Sequence, residues 1–322
     1  MGFFDGMRVL VTGGAGFVGS HLVDGLLDAG AIVTVYDNVS TGDARFLEGA
    51  LCDVNCDLIT GDLLSGEFLD EALHGKDMVF HWMANADVRH SAERPSHVLD
   101  MNLHATMVVL NYMRRQSVRR IAFASTGSVY GDVQLVPTPE RAPMPIQNTI
   151  YGASKVASEA LISAYAAQFD MEADIFRFAP MLGERYWHGH IFDFVKKLSA
   201  NPETIEVLGD GSERKYSVYV KDAIHGVLLG VEFGLDRVGV FNICGDYSYS
   251  INESVNWVAR QLHVQPKVTH TKQSWIGDNP NMYLDCSKLK ALGWRPETSA
   301  QRAVFNTVTY LLQNPYLLER ES

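Results

Sequence analysis

The sequence predicts an α/β protein: a doubly wound parallel sheet followed by a smaller C-terminal α/β lobe. Three observations carry this expectation. Short β-branched runs alternate with helical patterns through the first half of the chain. A glycine-rich turn directly follows the first run and opens the first helix. After Arg177 the alternation gives way to an irregular stretch bearing Pro180, Gly183, His188 and Gly189. Alternating strand–helix units of this length imply parallel strands, because each crossover returns the chain to the same edge, and helices then cover both faces.

The elements follow in order. Residues 8–11 read as a buried strand, and 17–29 as a helix with apolar residues at 18, 22, 23, 26 and 27 and Gly30 as its stop. Residues 32–36 are a second strand, and 78–80, 121–123 and 174–176 continue the series. Helical stretches lie between them near 67–73, 98–116 and 151–169. A helix near 191–200 precedes a strand–helix–strand set ending at 240–243, and helices near 251–263, 287–292 and 299–313 complete the chain. The expected division is a nucleotide-binding domain over 1–178, with a returning segment near 216–243, and a second lobe over 179–322 that caps the carboxyl edge of the sheet, where α/β proteins bind ligands.

Composition narrows the function. The chain has 322 residues, 47% hydrophobic and 20% charged, ordinary values for a protein with a large core. A formal charge of −11 argues against nonspecific binding to nucleic acid or anionic membranes, though a few local cations suffice for a small anionic ligand. Of Cys52, Cys56, Cys244 and Cys286 only the first two are close in sequence, with no second ligand pair near them, and the four read as free thiols of a reducing compartment and not as a metal site. No basic segment followed by an apolar one opens the chain, and no apolar run reaches membrane-spanning length, so the cytoplasm is the expected location.

The run Thr12-Gly13-Gly14-Ala15-Gly16-Phe17-Val18-Gly19 carries glycines at 13, 16 and 19 between a strand and a helix. Glycines there permit a tight turn and close approach of a pyrophosphate to the helix N-terminus. Asp37 ends the second strand, 18 residues after Gly19. A carboxylate at that place accepts from ribose hydroxyls and repels a 2′-phosphate, which favours NAD over NADP. Asn38 follows it, with no Arg beside it. Asp62 has two readings, an adenine-side contact or a turn residue.

Tyr151 and Lys155 stand four residues apart in Tyr151-Gly152-Ala153-Ser154-Lys155. One helical turn places them on one face, where an ammonium favours the phenolate and prepares the Tyr to take a proton from a sugar hydroxyl.

With these motifs, the chain resembles the extended short-chain dehydrogenase/reductase family, specifically its nucleotide-sugar epimerases and dehydratases. The resemblance runs through residues 12–22, Asp37-Asn38, Gly61-Asp62-Leu63, Asn102, Ser125-Thr126-Gly127-Ser128-Val129-Tyr130-Gly131, Tyr151 to Lys155, Arg177-Phe178, Gly209-Asp210-Gly211 and Leu292-Gly293-Trp294. It implies a Rossmann-type fold, tightly held NAD and a homodimer formed through the helices near 98–116 and 151–169. It also implies that Tyr151 is the base and that Lys155 lowers the Tyr pKa and holds the nicotinamide ribose. Thr126 would hydrogen-bond the reacting hydroxyl, unless it only satisfies local backbone. The implied cofactor contacts are Gly13, Gly16, Phe17, Val18, Gly19, Asp37, Asn38, Asp62, Leu63, Met83, Ala84 and Asn102, the last a water-organising and structural residue. The dehydratases carry Asp-Glu after the Thr; here Gly127-Ser128 cannot shuttle protons near pH 7. The implied reaction is therefore epimerisation of a nucleotide sugar at C4 through a 4-keto intermediate, with UDP-glucose/UDP-galactose as the default substrate and UDP-glucuronate, a dehydration or a decarboxylation as alternatives.

On the substrate side the resemblance points to Thr126, Arg185, Lys215, Asp278 and Met282. Pro180 replaces a family Asn, Lys215 takes the place of a diphosphate-binding Arg, and no Arg precedes Gly277-Asp278. Arg185 has two readings, a contact to phosphate or sugar carboxylate, or a surface ion pair. Met282 fills the position that gates the sugar pocket. In Tyr186-Trp187-His188-Gly189-His190, the histidines read as loop or surface residues and not as metal ligands, and the aromatic pair as pocket lining or core.

Overall fold

The computed structural model describes residues 2–86, 90–132, 135–143, 146–234, 236–271 and 282–320. Seven parallel strands form the main sheet: β1 (Arg8–Thr12), β2 (Ile32–Asp37), β3 (Cys56–Thr60), β4 (Met78–His81), β5 (Arg120–Thr126), β6 (Glu172–Phe178) and β7 (Val238–Ile243). Their order is β7-β6-β5-β4-β1-β2-β3. The chain runs outward through β2 and β3 on one side of β1 and through β4 to β7 on the other. Order therefore reverses between β1 and β4, where Val9 pairs with both Val33 and Met78. The carboxyl ends at this switch point are the expected binding place in an open α/β sheet.

Both faces are covered. α1 (Phe17–Asp28) brings Leu22, Val23 and Leu26 against Val9, Val11 and Val35. α2 (Ala105–Arg115) and α3 (Ile150–Phe169) bring Val109, Leu110, Met113, Ile162 and Ala166 against Leu10, Val79 and Ile121 on the opposite face. β1 and β4 are buried on both faces, which is why they read as unbroken apolar runs. α3 starts at Thr149, whose hydroxyl accepts from Gly152 N at 3.0 Å, and ends at Asp170 in the left-handed region.

A second apolar cluster is built almost wholly beyond residue 181. It joins α4 (His190–Ala200), α6 (Ile251–Gln261) and α7 (Ala300–Gln313) through Phe192, Val195, Val255, Val258, Val304 and Val308. α5 (Val220–Phe233) precedes β7 and packs with α1 on the first cluster. The anticipated strand–helix–strand return thus ends in the main sheet beside β6. β3 was not anticipated. It is an edge strand, only half-buried, so Cys56-Asp57-Leu58-Ile59-Thr60 lacks the apolar continuity of its neighbours. Among the described residues no helix is long and apolar enough to cross a membrane.

Candidate active site

The β1–α1 turn fits a dinucleotide pyrophosphate. Gly13 has φ +72, and a Cβ there would lie 2.6 Å from the Met83 nitrogen. At Gly19 a Cβ would lie 2.0 Å from the Gly13 carbonyl oxygen, so helix and turn touch backbone to backbone. No side chain caps α1 at Gly16, which leaves the first-turn amides of Phe17, Val18 and Gly19 free of side-chain competition for an anion. The Phe17 ring itself turns away and packs edge-on against Tyr186, with centroids 5.5 Å apart.

Asp37 ends β2 at the carboxyl edge of the sheet. Its Oδ2 accepts from Ala15 N at 2.9 Å and its Oδ1 from Val39 N at 2.8 Å. Burial pushes its carboxyl above the usual value while these two amides oppose the shift. Asn38 donates to Asp62 Oδ2 at 3.0 Å, and Asp62 Oδ1 accepts from Leu64 N at 2.7 Å. Asp62 therefore braces Asn38 and its own turn, and Leu63 is buried beneath. Met83 and Ala84 follow β4, the first against Gly13.

At the switch point lies a hydroxyl–imidazole chain. Thr12 Oγ1 meets His81 Nδ1 at 2.7 Å, and His81 Nε2 meets Thr106 Oγ1 at 3.0 Å. Thr106 gives its single proton to Asn102 O at 2.6 Å, so it accepts at His81. Proton accounting thus assigns His81 an N–H at Nε2 and a bare Nδ1. Burial, helped by the Lys155 charge, lowers its pKa to about 3, so it is a neutral spacer. Asn102 sits in a π-helical turn, Asp100–His104. Its amide holds Asn85 N at 2.8 Å and Ser154 Oγ at 2.9 Å, tying the loop after β4 to α3.

α3 presents Tyr151 and Lys155, both nearly inaccessible. The Thr126 hydroxyl, on the last residue of β5, is the side chain that favours the Tyr151 phenolate. Burial raises Tyr151 to about 12, with the Thr126 contact opposing. The Lys155 ammonium is engaged beneath, donating to Ala124 O at 2.8 Å and lying 4.6 Å above the Phe123 ring. Burial brings Lys155 down to about 7, against the pull of Glu159. Thr126 Oγ1 accepts from Ser128 N at 3.1 Å and donates to Ser128 Oγ at 3.2 Å, the local contacts of this hydroxyl.

The substrate-side expectations fare differently. Met282 lies over the serine loop: a Cβ on Gly127 would be 2.5 Å from its sulfur. Lys215 lies in a two-residue strand paired with Tyr249–Ser250. Arg185 goes elsewhere. Its guanidinium reaches Asp24 Oδ2 at 2.7 Å, two turns along α1, and its ionic reading is the surface pair. Asp278 lies outside the described residues. The aromatic–histidine run joins the second core: Tyr186 packs on Phe17, and His190 stacks on Tyr249 at 6.1 Å.

Sequence reasoning missed the support under Lys155. Glu159 and Arg177 form a bidentate pair at 3.0 and 2.6 Å, each side chain 4% exposed. Breaking such a pair costs about 3–5 kcal/mol. Ser125 also donates to Glu159 Oε1 at 2.5 Å. Glu159 stands four residues after Lys155, and that spacing was the available signal.

Fold and site define the class: a Rossmann-type protein of the extended short-chain dehydrogenase/reductase build. Comparison with known proteins narrows it. Residues 9–244 match the model of the NAD dependent epimerase/dehydratase family, and the chain belongs to that family. A putative UDP-glucose 4-epimerase of Methanocaldococcus jannaschii is 32% identical over 95% of this chain and 99% of that protein. A UDP-galactose 4-epimerase crystal structure superposes with a TM-score of 0.85 at 35% identity, covering 96% of this chain and 99% of that one. A UDP-glucose 4-epimerase from Thermotoga maritima, solved with UDP-glucose, gives a TM-score of 0.86 at 30% identity over 96% and 100% of the two chains.

Proposed function

We propose that this chain interconverts the C4 epimers of a nucleotide hexose, UDP-glucose and UDP-galactose, by transient oxidation at C4 with retained NAD. The observation carrying this reading is Tyr151 and Lys155 buried one turn apart on α3, beside a strand end where Thr126 is followed by Gly127 and Ser128, two residues without a titratable side chain. The family's printed NAD dependence and the named 4-epimerases among its relatives support the same reading.

The residues fit the cofactor. The glycine turn and the α1 amides accommodate a pyrophosphate, and Asp37 keeps carboxylate lone pairs for ribose hydroxyls while repelling a 2′-phosphate. Bound NAD supplies the hydride acceptor and donor at C4. Tyr151 takes the C4 hydroxyl proton and later returns it. Thr126 orients that hydroxyl. Lys155, fixed below by Ala124 O, supplies the positive charge that a developing phenolate needs. Turning of the intermediate exposes its second face to the same Tyr.

Residues 179–322 form the substrate lobe in this reading, supported by their separate apolar cluster. Lys215 faces the diphosphate as a point charge, and Met282 bounds the sugar. The uronate alternative drew on Arg185, which is committed to Asp24. A homodimer in the cytoplasm completes the proposal, supported by exposed Leu99, Met107 and Phe169 on the helices expected to meet. Light scattering at twice the chain mass would support that assembly.

The test is a panel of UDP-, dTDP- and GDP-sugars incubated with purified protein and resolved by chromatography. A C4 epimer from a UDP-hexose, without accumulating NADH absorbance, is the expected result. No C4 epimer from any of them overturns the proposal.

A further inference from the structure

We infer that Glu159 is a positioning residue that keeps Lys155 charged and keeps α3 in register with the end of β5. This rests on the reading of Tyr151 and Lys155 given above. Lys155 and Glu159 lie one helical turn apart, both buried, on the face of α3 turned towards β5. Three consecutive β5 residues then divide the work. Ala124 accepts from Lys155 at 2.8 Å, Ser125 donates to Glu159 at 2.5 Å, and the Thr126 hydroxyl favours the Tyr151 phenolate. One carboxylate thus fixes the strand segment that orients both the ammonium and the reacting hydroxyl.

The carboxylate is itself held rigidly. Arg177 of β6 binds both its oxygens and sends its remaining arm to Tyr130 Oη at 2.9 Å and Glu140 O at 3.0 Å. Tyr130 donates to Asn242 Oδ1 at 2.8 Å, and Asn242 Nδ2 donates to Thr138 O at 2.9 Å and Asp285 O at 3.1 Å. The chain of bonds therefore ends three residues from Met282, at the far wall of the cleft.

The groups around the ammonium leave Glu159 a distinct part. From β4 faces His81, held neutral; from β5, the Ala124 carbonyl and the Phe123 ring; from α3 itself, Tyr151 and Glu159; from β6, Arg177, whose charge is turned onto Glu159. Glu159, buried one helical turn from Lys155, is the negative group that α3 brings to the ammonium among the described residues. A role confined to packing predicts the same loss at every pH. A role through the Lys155 charge predicts a loss that grows as pH rises.

The experiment measures kcat and KM from about pH 6 to about pH 9 in Glu159→Gln/Arg177→Met, which removes both buried charges together, and in Ser125→Ala. Folding is checked by circular dichroism and thermal melting. In the double variant the alkaline limb of kcat should move down by about one pH unit, a tenfold deficit at high pH that recovers at low pH. A limb that stays in place overturns the inference. If the double variant does not fold, Ser125→Ala decides, because it leaves the ion pair intact: kcat should fall about tenfold at unchanged KM. An unchanged kcat overturns the inference. Lys155→Met separates this from the functional reading: if it turns over normally, the reading of Lys155 itself fails.

Discussion

The two sides of the cleft are built by different means. The cofactor side is close backbone packing around one glycine turn: Gly19 lies on Gly13 and Gly13 on Met83, and the Asp37 carboxylate accepts from Ala15 N. The sugar side joins segments far apart in the chain, with Met282 over Gly127 and the Tyr130–Asn242 link reaching Asp285. A site made of local backbone geometry leaves its signature in sequence as fixed glycines. A site made of distant side-chain contacts does not. The first is intolerant of any added atom, and the second can re-pack around one.

Gly19→Ala should break the cofactor side outright. The new methyl would sit 2.0 Å from the Gly13 carbonyl, with no flexible neighbour to yield. Purified variant is expected to carry no NAD by absorbance, whereas full cofactor content would show that the turn is softer than its geometry. Next in size is Tyr151→Phe, which should lower kcat about 10³-fold while cofactor content stays intact. Retained turnover would move the proton transfer to another group.

Acid sensitivity tests the chain beneath the cofactor. His81 is lowered from 6.5 to about 3 and His21 to about 4, both mainly by burial. A depressed His pKa contributes stability that is full above the unfolded value and is lost progressively as pH falls from there through the folded value. Asp174, raised to about 6 by burial, works in the opposite sense. Between pH 7 and about pH 5, His81 alone should remove about 2 kcal/mol. Denaturant unfolding of wild type and His81→Gln at both pH values isolates it: the variant should lose less on acidification, and equal losses would mean that His81 is not buried neutral.

The smallest effect is expected at Arg185. Arg185→Ala removes a partly exposed pair with Asp24 and should cost no more than about 1 kcal/mol in a thermal melt, with KM within about twofold of wild type. A tenfold rise in KM would return Arg185 to the substrate and undo the contrast between the two sides.

That contrast also explains what was legible in the sequence. The β-branched runs 8–11, 32–36 and 78–80 were readable because their strands are buried on both faces or nearly so. β3 was not, because an edge strand carries Asp57 and Thr60 to solvent. Tyr151, Lys155 and Thr126 were legible as a motif, but the state of Tyr151 was not. Spacing alone predicts a lowered phenol, whereas burial raises it and Lys155 turns to Ala124. Arg185 stood in a family position, yet its partner lies 161 residues earlier on α1. No local pattern announces such a contact.

Turnover of a UDP-hexose in deuterium oxide tests the central claim most directly. If C4 is oxidised and reduced within one active site, the hydrogen on carbon never meets solvent. The epimer should then form with no carbon-bound deuterium by mass spectrometry or NMR. Deuterium at a sugar carbon, rising with epimer formed, would mean proton abstraction from carbon and would contradict this mechanism.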